Sequence, residues 1–228
     1  MITNKFKYPE LNRVENDLGR FYIDLQNNHV PSVTTVLSNV SDKKSSIDQW
    51  RRRVGDKEAD RVIKEATDIG TMVHLALENY LRGEDQNIFS NDSIGNLARK
   101  MSEKFINDAL CDISEVYGLE VHLVLEKLYA GTVDCVGVID GKNTIIDFKT
   151  SRRIKKKEWI DDYFLQCVAY ANAHNVMFDT NISQVAILMV DRDLMYKKFL
   201  VKDNEFKHFT SIWKQKLLKF HNTFKWRD

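Results

Sequence analysis

Asp147-Phe148-Lys149 closes an apolar run that begins at Thr144. Side chains on a strand repeat every two residues, so Asp147 and Lys149 share a face. A carboxylate there can hold a hard divalent cation, and the ammonium beside it can position and acidify an attacking water or steady a phosphorane-like transition state. Asp-x-Lys alone is a weak signal, because surface strands carry it by chance. Asp134 strengthens it. Gly131-Thr132-Val133-Asp134 lies on the preceding apolar run, across Asp140-Gly141-Lys142-Asn143, whose Asp-Gly pair marks a hairpin. Two carboxylates on adjacent strands repel unless a cation or a proton lies between them. Glu120, one run earlier, offers a third carboxylate; Glu126, close to a turn, ranks below it.

Further candidates sit on helical patterns. His74, in Gly70-Thr71-Met72-Val73-His74, is four residues from Glu78 and on the same helix face, and Gln166 and Tyr170 share a face in the same way. Each pair also fits an ordinary polar helix edge. Thr150, Ser151, Arg152, Arg153, Lys155, Lys156 and Lys157 follow Lys149 directly, with Trp159 close behind. Such a run beside a phosphate-cleaving site can hold a nucleic-acid backbone while the aromatic stacks on a base; a solvated loop has the same composition. Arg51, Arg52 and Arg53 beside Trp50 form a second basic patch.

The elements that would position these residues follow from periodicity. Phe21 to Gln26 suits a short strand, and Pro31 to Leu37 an extended or turn segment. From Ser45 to about Leu81 the pattern is helical, interrupted at Gly55 and stopped at Gly83; residues 94–113 give a second long amphipathic helix. Gly118 to Leu128, Tyr129 to Ile139 and Thr144 to Lys149 read as three neighbouring antiparallel strands. A helix over 161–175, a hairpin over 182–201 and a helix over 204–224 complete the order. No repeat, low-complexity tract or interdomain linker stands out, so a single domain over 1–228 is expected.

Composition limits the function classes. The 34 Lys and Arg offset 33 Asp and Glu, so attraction to a polyanion must come from local patches. Cys111, Cys135 and Cys167 are too few and too scattered for a disulfide frame, a zinc site or a four-cysteine cluster, and they read as reduced, buried thiols. No apolar run approaches the roughly 18 residues of a membrane span, so no membrane partner is expected. Residues 1–16 resemble neither a signal nor a transit peptide, so a cytoplasmic protein is expected.

Taken in order, Gly-x-x-x-His, Glu, Gly-x-x-Asp, Asp-x-Lys and Gln-x-x-x-Tyr resemble the RecB-like branch of the PD-(D/E)XK nucleases. More closely, Pro31-Ser32-Val33-Thr34, Gly70-Thr71 with His74, Gly131 to Cys135, Ile146 to Ser151, and Tyr163 with Gln166, Ala169 and Tyr170 look like the mitochondrial genome maintenance exonuclease family and its phage-encoded relatives. Each motif is weak alone; five in the right order are fairly specific.

The resemblance implies an α/β fold with a PD-(D/E)XK, restriction-endonuclease-like core: a central mixed sheet flanked by helices over about 115–228, and an N-terminal helical arch over about 45–114. It implies that His74, Asp134, Asp147 and the Phe148 carbonyl hold Mg²⁺ or Mn²⁺. Lys149 would position the water, Glu120 would support the metal or a second one, Gln166 and Tyr170 would brace the site, and Ser32 and Thr34 would contact phosphate. Val133 stands where the family name has proline, and no iron–sulfur cluster is expected. The implied activity is metal-dependent hydrolysis of single-stranded DNA, or of DNA with single-stranded ends or flaps, to short oligonucleotides by a monomer, alongside replication or recombination proteins. A structure-specific endonuclease and a non-catalytic DNA-binding scaffold are the alternatives.

Overall fold

The computed structural model describes residues 2–3, 5–40 and 43–224, with no account of side chains at 43–46. The chain opens with a small antiparallel sheet of β1 (Arg13–Asn16), β2 (Gly19–Ile23) and β3 (His29–Pro31). Helices α1 (Val33–Val40), α2 (Lys43–Val54), α3 (Asp56–Arg82) and α4 (Ser93–Lys104) follow. Then β4 (Ile113–Leu125), β5 (Tyr129–Ile139) and β6 (Lys142–Ser151) form a meander, α5 (Asp161–Phe178) crosses over, and β7 (Gln184–Asp191), β8 (Tyr196–Lys202) and α6 (Asp203–Thr223) end the chain.

The large sheet has the order β4-β5-β6-β7-β8. All its pairs are antiparallel except β6 with β7, which are joined by the α5 crossover. The Asp140-Gly141 turn closes β5 onto β6 with both residues at positive φ, 52° and 71°, as a two-residue hairpin requires. Both faces are covered. Ile145, Val185, Ile187 and Met189 pack with α1, α5 and α6 on one side; Ile146, Ala186, Leu188 and Val190 pack with α3 and α4 on the other. A strand buried on both faces has no polar alternation, which is why every residue of β7 is buried.

Several expectations need correction. Residues 31–37 are not an extended segment: Ser32 caps α1, its Oγ accepting the Thr35 amide at 2.9 Å. The helix expected over 94–113 stops at Lys104, where a π turn (Phe105–Ala109) and a 3₁₀ turn (Leu110–Asp112) lead into β4. Cys111 is exposed, while Cys135 and Cys167 are buried. The segment expected to arch over the core divides near Ile69. Beyond it, Ile69, Val73 and Leu77 of α3 and Met101 of α4 pack on the sheet; before it, most of α3 is exposed, and Arg51 pins α2 to α3 through Asp56 and Asp60. Gly83 ends α3 in the left-handed conformation, φ 74°. Among the described residues no helix is long and apolar enough to cross a membrane.

Candidate active site

The site forms where the large sheet splits. Pairing between β5 and β6 ends at Cys135 and Ile146, although β5 stays paired to β4 as far as Tyr129 and β6 to β7 as far as Ser151. Asp134 stands at the fork, and its Oδ2 accepts the Phe148 amide at 2.9 Å, so a side chain replaces the missing ladder bond. The small sheet fills the gap. Ser32 bridges in parallel to Ala130, on the edge of β5 that β6 has left, and the Tyr22 hydroxyl lies 3.0 Å from Thr132 Oγ1.

Asp147 and Lys149 share a face, as strand periodicity requires, with the ammonium 2.7 Å from Oδ1 and 2.6 Å from Oδ2. Only the contact to Oδ1 has hydrogen-bond geometry, which leaves Oδ2 buried without a donor. Burial pushes the Asp147 carboxyl up, against the pull of Lys149. Burial opposes the Lys149 charge, but Asp147 and Asp134 outweigh it and hold the amine protonated.

His74 reaches the fork from α3. Its Nε2 lies 2.8 Å from the Phe148 carbonyl, an acceptor only, so Nε2 carries a proton and Nδ1 faces the carboxylates. Nδ1 is 3.6 Å from Asp134 Oδ2 and 3.8 Å from Glu120 Oε1. Burial works against a charged ring here, yet Asp134 and Glu120 together push the imidazole up to about 9. Glu120 has a backbone φ of +51°, although the β4–β5 register runs on unbroken around it, Leu119 opposite Cys135 and Val121 opposite Val133. Arg82 holds the residue before it, donating to the Leu119 carbonyl at 3.3 Å while paired with Glu78.

One ligand atom each from His74, Glu120 and Asp134 lies within 4.8 Å of the others. One imidazole with two carboxylates can hold a divalent cation such as Mg²⁺ or Mn²⁺. The expected set of His74, Asp134, Asp147 and the Phe148 carbonyl shares His74 and Asp134 with this group, which Glu120 joins, while the Asp147 carboxylate lies against Lys149 and the Phe148 carbonyl against His74 Nε2.

A cleft of about 620 Å³ opens over these groups. Gln166 and Tyr170 line it, with Gln166 Nε2 donating to the Tyr170 hydroxyl at 3.4 Å. A Cβ on Gly131 would come within 2.5 Å of Tyr170 Cε1, so this ring reaches the strand only because residue 131 is glycine. Ser32 and Thr34 also line the cleft, although Ser32 Oγ is already engaged by Thr34, Thr35 and its capping bond. The sequence reading missed Arg13, Arg20 and Tyr22, which the small sheet brings to the same cleft.

The other expected DNA contacts scatter. Arg51, Arg52 and Arg53 lie in the last turn of α2, away from the lining of the cleft. Thr150, Ser151 and Arg152 line a separate cavity of about 280 Å³ with Arg61 and Arg192, whose partners are Glu58 and Glu65. Arg153 pairs with Asp193, and Lys157 is tied to Glu205 and the Leu200 carbonyl. Lys155 donates to the Tyr163 hydroxyl at 2.8 Å, and Lys156 lies over the exposed Trp159 ring. Asp191, which the sequence reading did not single out, fixes this loop: one oxygen accepts the Ile154 amide, the other the Asp193 and Met195 amides.

No protein-family model matches the chain. It is 35% identical over 171 residues to mitochondrial genome maintenance exonuclease 1 of Homo sapiens, covering 71% of this chain and 48% of that protein. The Mus musculus protein of the same name is 32% identical over 163 residues, 67% of this chain and 46% of its own length. The chain thus spans about half the length of the curated relatives it matches. A crystal structure of a candidate exonuclease from Eubacterium rectale superposes with a TM-score of 0.51 at 16% identity, over 72% of this chain and 70% of that one, a likeness of fold alone. The chain belongs to a nuclease-fold family, and its relatives in sequence include mitochondrial genome maintenance exonuclease 1.

Proposed function

We propose that the chain is a divalent-cation-dependent nuclease that hydrolyses phosphodiester bonds of single-stranded DNA from its ends, releasing short oligonucleotides. The observation that carries this reading is the donor set at the fork, His74, Glu120 and Asp134 within 4.8 Å, beside the Lys149 ammonium. The sequence relationship to proteins named exonucleases supports it. Mg²⁺ or Mn²⁺ bound there would neutralise the carboxylates and withdraw charge from a phosphate oxygen.

The rest of the chemistry falls to the chain's own groups. Lys149, held by Asp147, supplies a protonated amine for the attacking water and for the negative charge that develops on the phosphoryl oxygens. His74, fixed by the Phe148 carbonyl, keeps Nδ1 turned inward. The amide of Gln166 and the phenol of Tyr170 offer neutral hydrogen bonds to the scissile phosphate. Arg13 and Arg20, on the wall supplied by the small sheet, hold the backbone by charge.

The test uses end-labelled linear strands, duplexes, flaps and closed single-stranded circles with Mg²⁺ or Mn²⁺. Linear strands are expected to be cut and circles spared, while Asp147→Asn and Lys149→Ala lose cleavage and keep DNA binding. Circles cut as fast as linear strands would remove the dependence on ends. Preference for flaps would move the reading to a structure-specific endonuclease. Wild-type protein inert with both metals would leave a DNA-binding scaffold.

A further inference from the structure

Beside the catalytic cleft lies a larger groove, of about 1060 Å³, walled by Leu18 of the β1–β2 hairpin, Leu37 of α1, Ile47 of α2, and Trp159 and Tyr163 at the start of α5. Thr34 and Gln166 line both hollows, so the groove continues from the cleft. Its apolar side chains are open to solvent: Leu18 is 46% exposed, Ile47 54% and Trp159 62%. Ammonium groups stand over the aromatic rings, Lys156 over Trp159 at 5.4 Å, and Lys149 and Lys155 over Tyr163 at 5.1 and 4.9 Å.

Resting on the nuclease reading above, we propose that this groove receives the unstacked bases of the single strand on one side of the scissile phosphate, with Trp159 as the stacking platform, and so sets how far from the strand end the cut falls. The chemistry of the walls selects bases over phosphates. Asp17 and Asp162 line the groove with one cation, Lys155, whose ammonium is engaged by the Tyr163 hydroxyl, so the lining carries no net positive charge toward a phosphate, whereas Leu18, Ile47 and Trp159 accept the flat face of any base. The arginines lie elsewhere, at Arg13 and Arg20 in the adjoining cleft, so backbone and bases have separate walls. A base that faces Trp159 has left its helix, which makes the groove a filter against duplex.

The test is a binding comparison in EDTA, which does not depend on cleavage. Labelled oligothymidylate is set against an abasic strand of the same length, which keeps every phosphate. Wild-type protein is expected to bind the thymidylate roughly tenfold more tightly, in line with loss of base–aromatic stacking. Trp159→Ala should close most of that gap and leave affinity for the abasic strand unchanged; the ring is exposed, so folding is not at stake. Leu18→Ser should act in the same direction. With Mn²⁺, Trp159→Ala should also shift the product-length distribution. The proposal is overturned if wild-type protein binds both strands equally, or if Trp159→Ala lowers both affinities alike. An unchanged Trp159→Ala would equally overturn it and leave the groove to another occupant, such as a protein partner. Absence of cleavage by wild-type protein would sink the nuclease reading while leaving this affinity ratio to stand or fall on its own.

Discussion

The Phe148 amide donates to Asp134 Oδ2 at 2.9 Å, beyond the last residues that β5 and β6 pair. Asp134 thus has two tasks, closing the backbone at the fork and presenting charge to the cleft. Asp134→Asn keeps an acceptor for the amide and removes the charge. Its melting temperature should stay close to wild type, while Mn²⁺ affinity by calorimetry falls by at least the roughly 10- to 100-fold typical of losing even an outer-shell partner. Asp134→Ala should in addition lose about 1–3 kcal/mol of stability, because the amide is left without a partner. An Asn variant that binds Mn²⁺ like wild type would rule the carboxylate out as a ligand.

Arg82 acts on the site without facing it. It holds the Leu119 carbonyl, and the next residue, Glu120, adopts the left-handed backbone that turns its carboxylate toward His74. A non-glycine residue stays in that region only when its surroundings hold it there. Arg82→Ala should weaken Mn²⁺ binding roughly tenfold with only a small change in melting temperature, since its ion pair with Glu78 is partly exposed and spaced i,i+4 on one helix. A loss of stability with unchanged metal affinity would count against this role.

Gly131→Ala tests the seating of Tyr170. The added methyl would press on the ring at 2.5 Å, and φ at residue 131 is not in the left-handed region, so sterics alone decide the outcome. Overpacking of this kind costs about 1–3 kcal/mol, measurable by urea denaturation. Cleavage should fall as Tyr170 and Gln166 are displaced. Unaltered stability would mean that the ring moves freely and does not brace the site.

His174 governs a pH response away from the site. It is buried beside Phe6, Tyr8 and Phe178, with Nδ1 2.8 Å from Thr180 Oγ1 and Nε2 3.2 Å from the Tyr8 hydroxyl. Burial, and then Lys5, push its imidazole down to about 4, from the usual histidine value of about 6.5. The folded state therefore binds fewer protons than the unfolded state between those two values. Stability from this group is complete above about pH 6.5 and declines as pH falls toward 4. Denaturation midpoints measured across that window should drop for the wild type and change less for His174→Gln; parallel curves would remove His174 as the cause.

Much of this arrangement was legible in the sequence wherever it depends on local periodicity. Asp147 and Lys149 meet because strand side chains repeat every two residues, and the Asp140-Gly141 turn fixes β5 against β6. The face of α3 through Ile69, Val73 and Leu77 follows from helical spacing in the same way. Long-range contacts left weaker marks. All of β1 is exposed, so it carries no alternation, and nothing local to Arg13 or Arg20 announces that a Ser32–Ala130 bridge will carry them into the cleft. Ser32 is a capping residue type, and its bond to the Thr35 amide starts α1 directly after Pro31. The resemblance implies a supporting role for Glu120, and the positive φ at that residue is a feature that composition does not encode.

The fork gives the two lips of the cleft separate supports: β5 is fully laddered to β4, and β6 to β7. What sets the gap between them is the wedge of β2 and β3, through Ser32 on Ala130 and Tyr22 on Thr132. Residues near the beginning of the chain thereby fix the aperture of a site whose charged groups come from its middle. A change in the seating of that wedge would alter the spacing across the cleft while leaving both ladders intact.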